Sequence, residues 1–238
     1  MADIHCCYIF EFNTPNEQKY NLYFDESSMT ITDKSFEGQT ESSMQWAELE
    51  FNKCKHCPLS SEDNKYCPTA RALGRVAHKF SNVKSFTETK VAVVTADRTY
   101  LKHTSTQDAL QSIFGLIMAT SGCPHLNFLK PMARFHLPFA SLNETMVRIL
   151  SFYFVKQYFN QNDNNNTTAK ASTPFSLDSL SNAYDKVTIV NSHLIERLRS
   201  LGKGDADLNA VIILDSFASM LSYHASENFS EIQPFFKD

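Results

Sequence analysis

Hydrophobic positions follow two different periods along this chain of 238 residues. In residues 1–104, short segments rich in β-branched and aromatic side chains alternate with polar turns, which is typical of antiparallel strands. The strands that this pattern predicts cover residues 4–12, 19–24, 29–32, 45–51, 84–96 and 99–103, the last two forming a hairpin. The first part of the chain is therefore expected to be mainly antiparallel sheet.

One helix is predicted within this sheet region, over residues 68–80. Pro68 suits a first helical position, where its missing N–H costs nothing, and Leu73, Val76 and Phe80 share one face. Cys67 would then be the N-cap residue.

Residues 105–238 change to the 3.6-residue period of α-helices. Gly122 stands where a left-handed C-cap residue is expected after the first helix, and Ser141 with Glu144 forms a capping-box pattern. The predicted helices cover residues 106–119, a segment that starts after Ser141, and residues 177–201 and 205–226. The Asn-rich stretch 160–168 offers nothing to bury and is predicted to be a flexible loop.

These patterns together predict one α+β domain over residues 1–238. An N-terminal antiparallel sheet with an inserted helix is followed by a C-terminal helical bundle. Composition agrees, since 42% of the residues are hydrophobic and only six are glycine. A chain of this length buries roughly 70% or more of its unfolded surface, and collagen-like or wholly disordered classes are excluded.

The chain shows no positive n-region followed by an apolar stretch, and its apolar runs are too short to cross a bilayer. We therefore expect a cytoplasmic protein that is not bound to a membrane. In a reducing compartment, clustered cysteines more often bind metal or do redox chemistry than form disulfides.

Charge is distributed unevenly. Residues 1–50 carry a net charge of −8, whereas residues 51–103 carry +6 and surround a group of cysteines. The basic surplus could bind an anion or nucleic acid, or it could offset the charge of metal-bound thiolates. With a structural metal, binding of an anion or a protein partner would be the function. Nucleic acid is an unlikely partner, because no dense Lys/Arg run with interleaved aromatic residues is present.

The cysteines carry the main candidate chemistry. Cys54, Cys57 and Cys67 have the spacing C-x2-C-x9-C, and either Cys123 or His125, in Ser-Gly-Cys-Pro-His, could complete a tetrahedral site. Zn²⁺ is the favoured occupant. The alternatives are an iron–sulfur cluster, or a thiol-dependent redox enzyme or sensor that uses the same cysteines.

The other cysteines and His56 are assigned no ligand role. Cys6 and Cys7 are neighbours in a predicted strand, so their side chains point to opposite faces and are expected to be small buried hydrophobic groups. His56 is expected to be exposed rather than bound.

A second candidate lies in the segment 130–139. Arg134 and His136 are two residues apart, and in an extended stretch both would project on one side, where Arg134 could hold an anion and His136 could act as acid, base or ligand. We favour a structural interpretation, in which the arginine pairs with a core carboxylate and the histidine binds backbone. Asp215, in an apolar helical stretch, is the expected partner of Arg134.

Three stretches resemble an uncharacterised bacterial family of unknown function. They are CKHCPLSSEDNKYCPTA at 54–70, GLIMATSGCPHLNFLKPMARFHLPFAS at 115–141 and, more weakly, LNAVIILDSFA at 208–218. The resemblance implies that the cysteine motifs and the Arg134 segment belong to one site, and it supplies no activity. Because no nucleophile elbow, Walker loop, dinucleotide fingerprint or His-Glu-x-x-His is present, those enzyme classes lose support, and the residues leave catalysis open.

Overall fold

The computed structural model of the protein describes residues 3–12, 17–36, 45–80, 82–162, 176–201 and 205–237. It is an α+β fold, as the sequence predicts. The strands are β1 (Asp3–Glu11), β2 (Glu17–Asp25), β3 (Glu88–Val94) and β4 (Thr99–Ser105). The helices are α1 (Pro68–Phe80), α2 (Thr106–Thr120), α3 (Lys130–Arg134), α4 (Leu142–Asn162), α5 (Asp178–Ser200) and α6 (Ala206–Ser226).

The four strands form one antiparallel sheet in the order β2-β1-β3-β4. Alternate residues of β2 and β3 are buried, as the two-residue period of a strand requires when helices cover one face. In β1, Cys6, Tyr8 and Phe10 follow the same alternation, and Cys7 is buried as well. Helix α1 packs on that face through Phe80, whose ring centroid lies 5.0 Å from that of Phe10. Cys6 and Cys7 are both buried and unbridged, as expected.

Two predicted strands are wrong. Residues 29–32 contribute only an isolated bridge from Ile31 to Phe24, because Met29 adopts a positive φ of 51°, which breaks the extended backbone. Residues 45–51 begin with the 3-10 helix Gln45–Ala47 and add one bridge, from Glu48 to Tyr66.

The predictions for the helices agree more closely with the structure. Helix α1 has the predicted bounds, and Gly122 has a positive φ of 88° just after α2. The capping box forms, since Glu144 Oε2 accepts the N–H of Ser141 at 2.8 Å. The Asn-rich stretch differs from its prediction, because residues 160–162 belong to α4; residues 163–168 lie outside the described part of the chain.

Sheet and helices share one continuous hydrophobic core. Helices α5 and α6 pack as an antiparallel pair, α6 packs on α2, and α2 joins this helical part to the sheet. None of the described helices combines the length and the apolar character needed to cross a membrane.

Candidate metal centre

A buried arginine fixes the turn that precedes the cysteines. Arg197 of α5 is only 2% exposed, and its guanidinium donates to the carbonyl oxygens of Trp46, Glu48 and Leu49 at 2.6, 2.9 and 3.1 Å. A strand over residues 45–51 would use these oxygens as acceptors for the hydrogen bonds to a neighbouring strand. The arginine therefore holds this segment as a compact turn beside α5.

This compact turn also positions Cys67. The N–H of Cys67 donates to Ala47 O at 2.8 Å, and the N–H of Leu49 donates to Lys65 O at 2.9 Å. Cys67 directly precedes α1, as predicted, so its thiol lies near the positive end of the helix dipole. Cys54 and Cys57 are joined by a tight turn in which Cys57 N–H donates to Cys54 O at 3.0 Å.

Cys123 approaches from the other half of the chain, after α2. Ser121 Oγ lies 2.9 Å from Thr69 Oγ1 of α1, and this buried hydrogen bond ties the end of α2 to the start of α1. The left-handed Gly122 then redirects the backbone toward Cys123, which is 8% exposed. Burial raises the pKa of the Cys123 thiol, and the nearby backbone of His125 opposes the increase.

The charges of the other three thiols affect the pKa of Cys54. The pKa of Cys54 is raised to about 12, first by burial and then by the charges of Cys67, Cys123 and Cys57, while Arg197 lowers it. In return, the thiols of Cys67, Cys54 and Cys57 oppose the effect of burial, which lowers the pKa of Arg197. We call Cys54, Cys57, Cys67 and Cys123 the cysteine cluster.

The fold thus brings the thiols into one region, but their side chains do not form a complete set of metal ligands. Among the described residues, no three His, Cys, Asp or Glu side chains are placed closely enough to hold a metal ion. The donor set nevertheless fits one, since four thiolates are a common structural zinc set and thiolates also hold iron–sulfur clusters. Cysteine side-chain rotations would have to complete the ligand geometry.

His125 has a different partner. Its Nε2 lies 2.8 Å from His56 O, and the two imidazole rings stack with centroids 3.9 Å apart. His56 is half-buried, not exposed as expected, and its pKa is lowered, mainly by burial and then by His125. The structure therefore pairs the two histidines at the edge of the cysteine cluster.

Comparison with protein-family models matches residues 6–237 to the family described as "Domain of unknown function (DUF6901)". The chain belongs to the DUF6901 family. The match spans both cysteine motifs and confirms the resemblance seen in the sequence. The resemblance implies no activity. Comparisons with curated proteins and with solved structures gave no match.

The ion pair expected between Arg134 and Asp215 is not formed in this DUF6901 member. Arg134 ends helix α3 and is exposed, because residues 130–134 are helical rather than extended. Asp215 instead lies beside Asn191, which lowers its pKa against the larger, raising effect of burial. The two residues thus belong to different surroundings.

His136 is hydrogen bonded to a side chain, not to backbone. Its Nε2 lies 2.6 Å from Tyr8 Oη, which also bonds Ser112 Oγ at 2.8 Å. Burial, with a smaller effect from Arg148, lowers the pKa of His136 to about 3. The imidazole is therefore neutral near pH 7, so it is poorly suited to act there as a general acid.

Sequence reasoning missed Arg197 and Arg148. Arg197 occupies a core position on the apolar face of α5, between Leu194 and Leu198. A charged residue at such a position indicates a buried side chain that needs hydrogen-bond partners. Arg148 donates to Met132 O at 3.2 Å and to Phe135 O at 2.5 Å. No local pattern distinguishes it from a surface arginine.

Proposed function

We propose that the protein binds Zn²⁺ through Cys54, Cys57, Cys67 and Cys123, and that the ion joins the sheet region to the helical bundle. Two hydrogen bonds between the cysteine-bearing segments carry the proposal, because they bring the loop before α1 to the turn after α2: Thr69 Oγ1 with Ser121 Oγ, and His125 Nε2 with His56 O. Two motifs that are more than fifty residues apart meet where the two parts of the fold are in contact.

The positive charge around the cysteine cluster supports thiolate ligands, because zinc bound by four thiolates is an anionic complex. Four thiolates around Zn²⁺ have a net charge of −2, and burying that charge is costly unless it is offset. The guanidinium of Arg197 lies beside the cluster, where a positive charge stabilises thiolate ligation. The basic residues of 51–103 act in the same direction over a longer range.

A set of four thiolates favours a structural metal over a catalytic one. Such a site leaves no open position for water or substrate. We take Cys123 rather than His125 as the fourth ligand, because its charge affects the pKa of Cys54 together with those of Cys57 and Cys67. The Nε2 of His125 lies at the carbonyl of His56, so only its Nδ1 could bind the ion in place of Cys123. Free thiols require reducing conditions, so we also propose a cytoplasmic location.

Metal analysis of anaerobically purified protein, combined with its ultraviolet–visible spectrum, tests the proposal. We expect one zinc per chain and no visible absorption. Iron and sulfide with a brown spectrum would favour the iron–sulfur alternative. A folded, metal-free protein that takes up neither metal would refute both metal proposals.

Substitutions identify the ligands. Cys54→Ser, Cys57→Ser, Cys67→Ser and Cys123→Ser are each expected to lose zinc, whereas Cys7→Ala, a buried cysteine on a strand, keeps it as a matched control. His125→Ala is expected to retain zinc. Loss of zinc in His125→Ala with retention in Cys123→Ser would assign the fourth position to the histidine instead.

A further inference from the structure

A second site is suggested by a cavity of about 170 Å³ in the helical part. Helices α2, α5 and α6 form one side, and the segment from α3 to α4 covers the other. Most of the wall is apolar, including Gly115, Leu116, Val187, Leu214, Phe217 and Leu221. None of the residues of the cysteine cluster lines it.

Arg148 brings a positive charge to this apolar wall. Its guanidinium donates to the carbonyls of Met132 and Phe135, and burial lowers its pKa. Glu144, the acid with the largest opposing effect, is engaged by the N–H and hydroxyl of Ser141. Among the described residues no ion pair neutralises Arg148, so the cation lines the cavity without a bound counter-ion.

Asn191 adds an independent observation. Its side chain is 0% exposed, lines the cavity, and makes no hydrogen bond through either amide atom. Asn191 interacts with the neighbouring carboxyl of Asp215 and lowers its pKa as a hydrogen-bond donor would, but the contact lies outside hydrogen-bond geometry, so Oδ1 of Asp215 also lacks a partner. Unsatisfied buried amides are rare and costly in native proteins, which points to a polar guest in this space.

We propose that this cavity binds a carboxylate with an apolar tail, its carboxylate paired with Arg148 and its tail packed against α2 and α6. An engineered cavity of about 150 Å³ holds benzene, so the volume suits a tail of roughly six to eight carbons. Because Nη2 of Arg148 donates to the two backbone carbonyls, its Nη1 and Nε hydrogens remain to donate charge-assisted hydrogen bonds to a carboxylate. The amide of Asn191 remains for a polar substituent on the tail.

The neighbouring histidine does not compete for this role. His136 also lines the cavity, but its Nε2 is engaged by Tyr8 and its ring is neutral near pH 7. The preference for an anion therefore depends on Arg148. Because none of the four cysteines takes part, this inference is independent of zinc binding.

Methyl NMR titrations of the full chain with octanoate, 1-octanol and octylamine test the proposal. Octanoate is expected to shift the methyl signals of Val187, Leu214 and Leu221, and to bind at least tenfold more tightly than either of the other two. Equal affinity for octanoate and 1-octanol, or octanoate shifts that do not include these methyls, would overturn it. This comparison uses the wild-type chain and does not depend on any variant folding.

Variants separate the head group from the tail. Arg148→Met is expected to weaken octanoate at least tenfold and to leave 1-octanol unchanged, while Arg199→Met, an exposed arginine of α5, changes neither. Ala218→Leu, which fills part of the cavity, should weaken both ligands. An Arg148→Met protein that is folded by circular dichroism and binds octanoate like wild type would contradict the assignment.

Discussion

At the scale of single residues, two buried polar side chains distinguish this molecule from an ordinary packed core. Arg197 holds the backbone from which the cysteines extend, through three carbonyl oxygens. His136 is kept neutral by burial and, to a smaller extent, by the charge of Arg148, and it is hydrogen bonded to Tyr8. Arg197 stabilises the fold through its hydrogen bonds, and His136 does so as a neutral imidazole. A prediction follows for each residue.

Arg197→Met is expected to lower the free energy of unfolding by about 3–5 kcal/mol, because it leaves three buried carbonyl groups without their donor. Arg199→Met is the matched control, since Arg199 forms an exposed pair with Glu196, and it should change stability by less than about 0.5 kcal/mol. Urea unfolding measures both. Equal effects of the two substitutions would show that the Arg197 hydrogen bonds contribute nothing.

His136 should make stability depend on pH in acid. Its pKa is about 3 in the folded protein and about 6.5 when unfolded, so below about pH 6.5 the unfolded chain takes up a proton that the folded chain does not. Stability contributed by the neutral imidazole is therefore complete above about pH 6.5 and decreases as the pH falls toward about 3, by about 2 kcal/mol between pH 6.5 and 5.

The non-titrating variant His136→Gln removes this proton uptake while its amide can still bond Tyr8. Urea unfolding of wild type and His136→Gln at a series of pH values gives the difference between their slopes. The variant should lose less stability on acidification. Parallel pH profiles would mean that the folded state binds the proton as readily as the unfolded chain.

At the scale of elements, the contact between α1 and the Trp46 turn sets the position of the cysteine-bearing loop. Gly74 of α1 faces the indole, and a Cβ at this position would lie 2.8 Å from Trp46 Cζ2. Glycine normally weakens a helix by about 1 kcal/mol relative to alanine, so its presence here is explained by this close approach.

Gly74→Ala is therefore expected to destabilise the protein by about 1–3 kcal/mol, because the clash with a buried ring outweighs the gain in helix propensity. Gly115→Ala in α2 is the control. Its added Cβ meets Leu214 Cδ2 at an ordinary 3.6 Å, so it should stabilise by up to about 1 kcal/mol. Thermal unfolding decides, and an increase in Tm for both variants would contradict the steric argument.

At the scale of the whole molecule, the shared core indicates one cooperative unit. Sheet, α1 and α2 contribute to the same hydrophobic cluster as α5 and α6. Arg197 and the bond between Thr69 and Ser121 add polar links between distant segments. The parts are thus connected through both apolar and polar contacts, and a single domain stays a prediction.

Unfolding should accordingly be a single transition. The only tryptophan of the chain, Trp46, lies at the contact between the cysteine loop and α5, so its fluorescence reports on that contact. Far-ultraviolet circular dichroism reports mainly on the helices. We expect the two probes to give coincident urea curves. A fluorescence change that clearly precedes the loss of helix would reveal two separately unfolding parts.

The sequence by itself determined the α+β class, the sheet region and the bounds of α1, because two- and 3.6-residue periods are local properties of the chain. It failed at residues 29–32 and 45–51, where a positive φ at Met29 and the capture of carbonyl oxygens by Arg197 replace strand pairing. It indicated four cysteines as one possible ligand set on motif spacing alone.

Only the tertiary structure decided which side chains meet. It brought Cys123 to the loop of Cys54, placed Arg197 beside them, separated Arg134 from Asp215 and opened the cavity lined by Arg148. Such meetings depend on how elements far apart in sequence pack against each other. Side-chain periodicity reports which face of an element is buried, but it does not specify the partner that buries it.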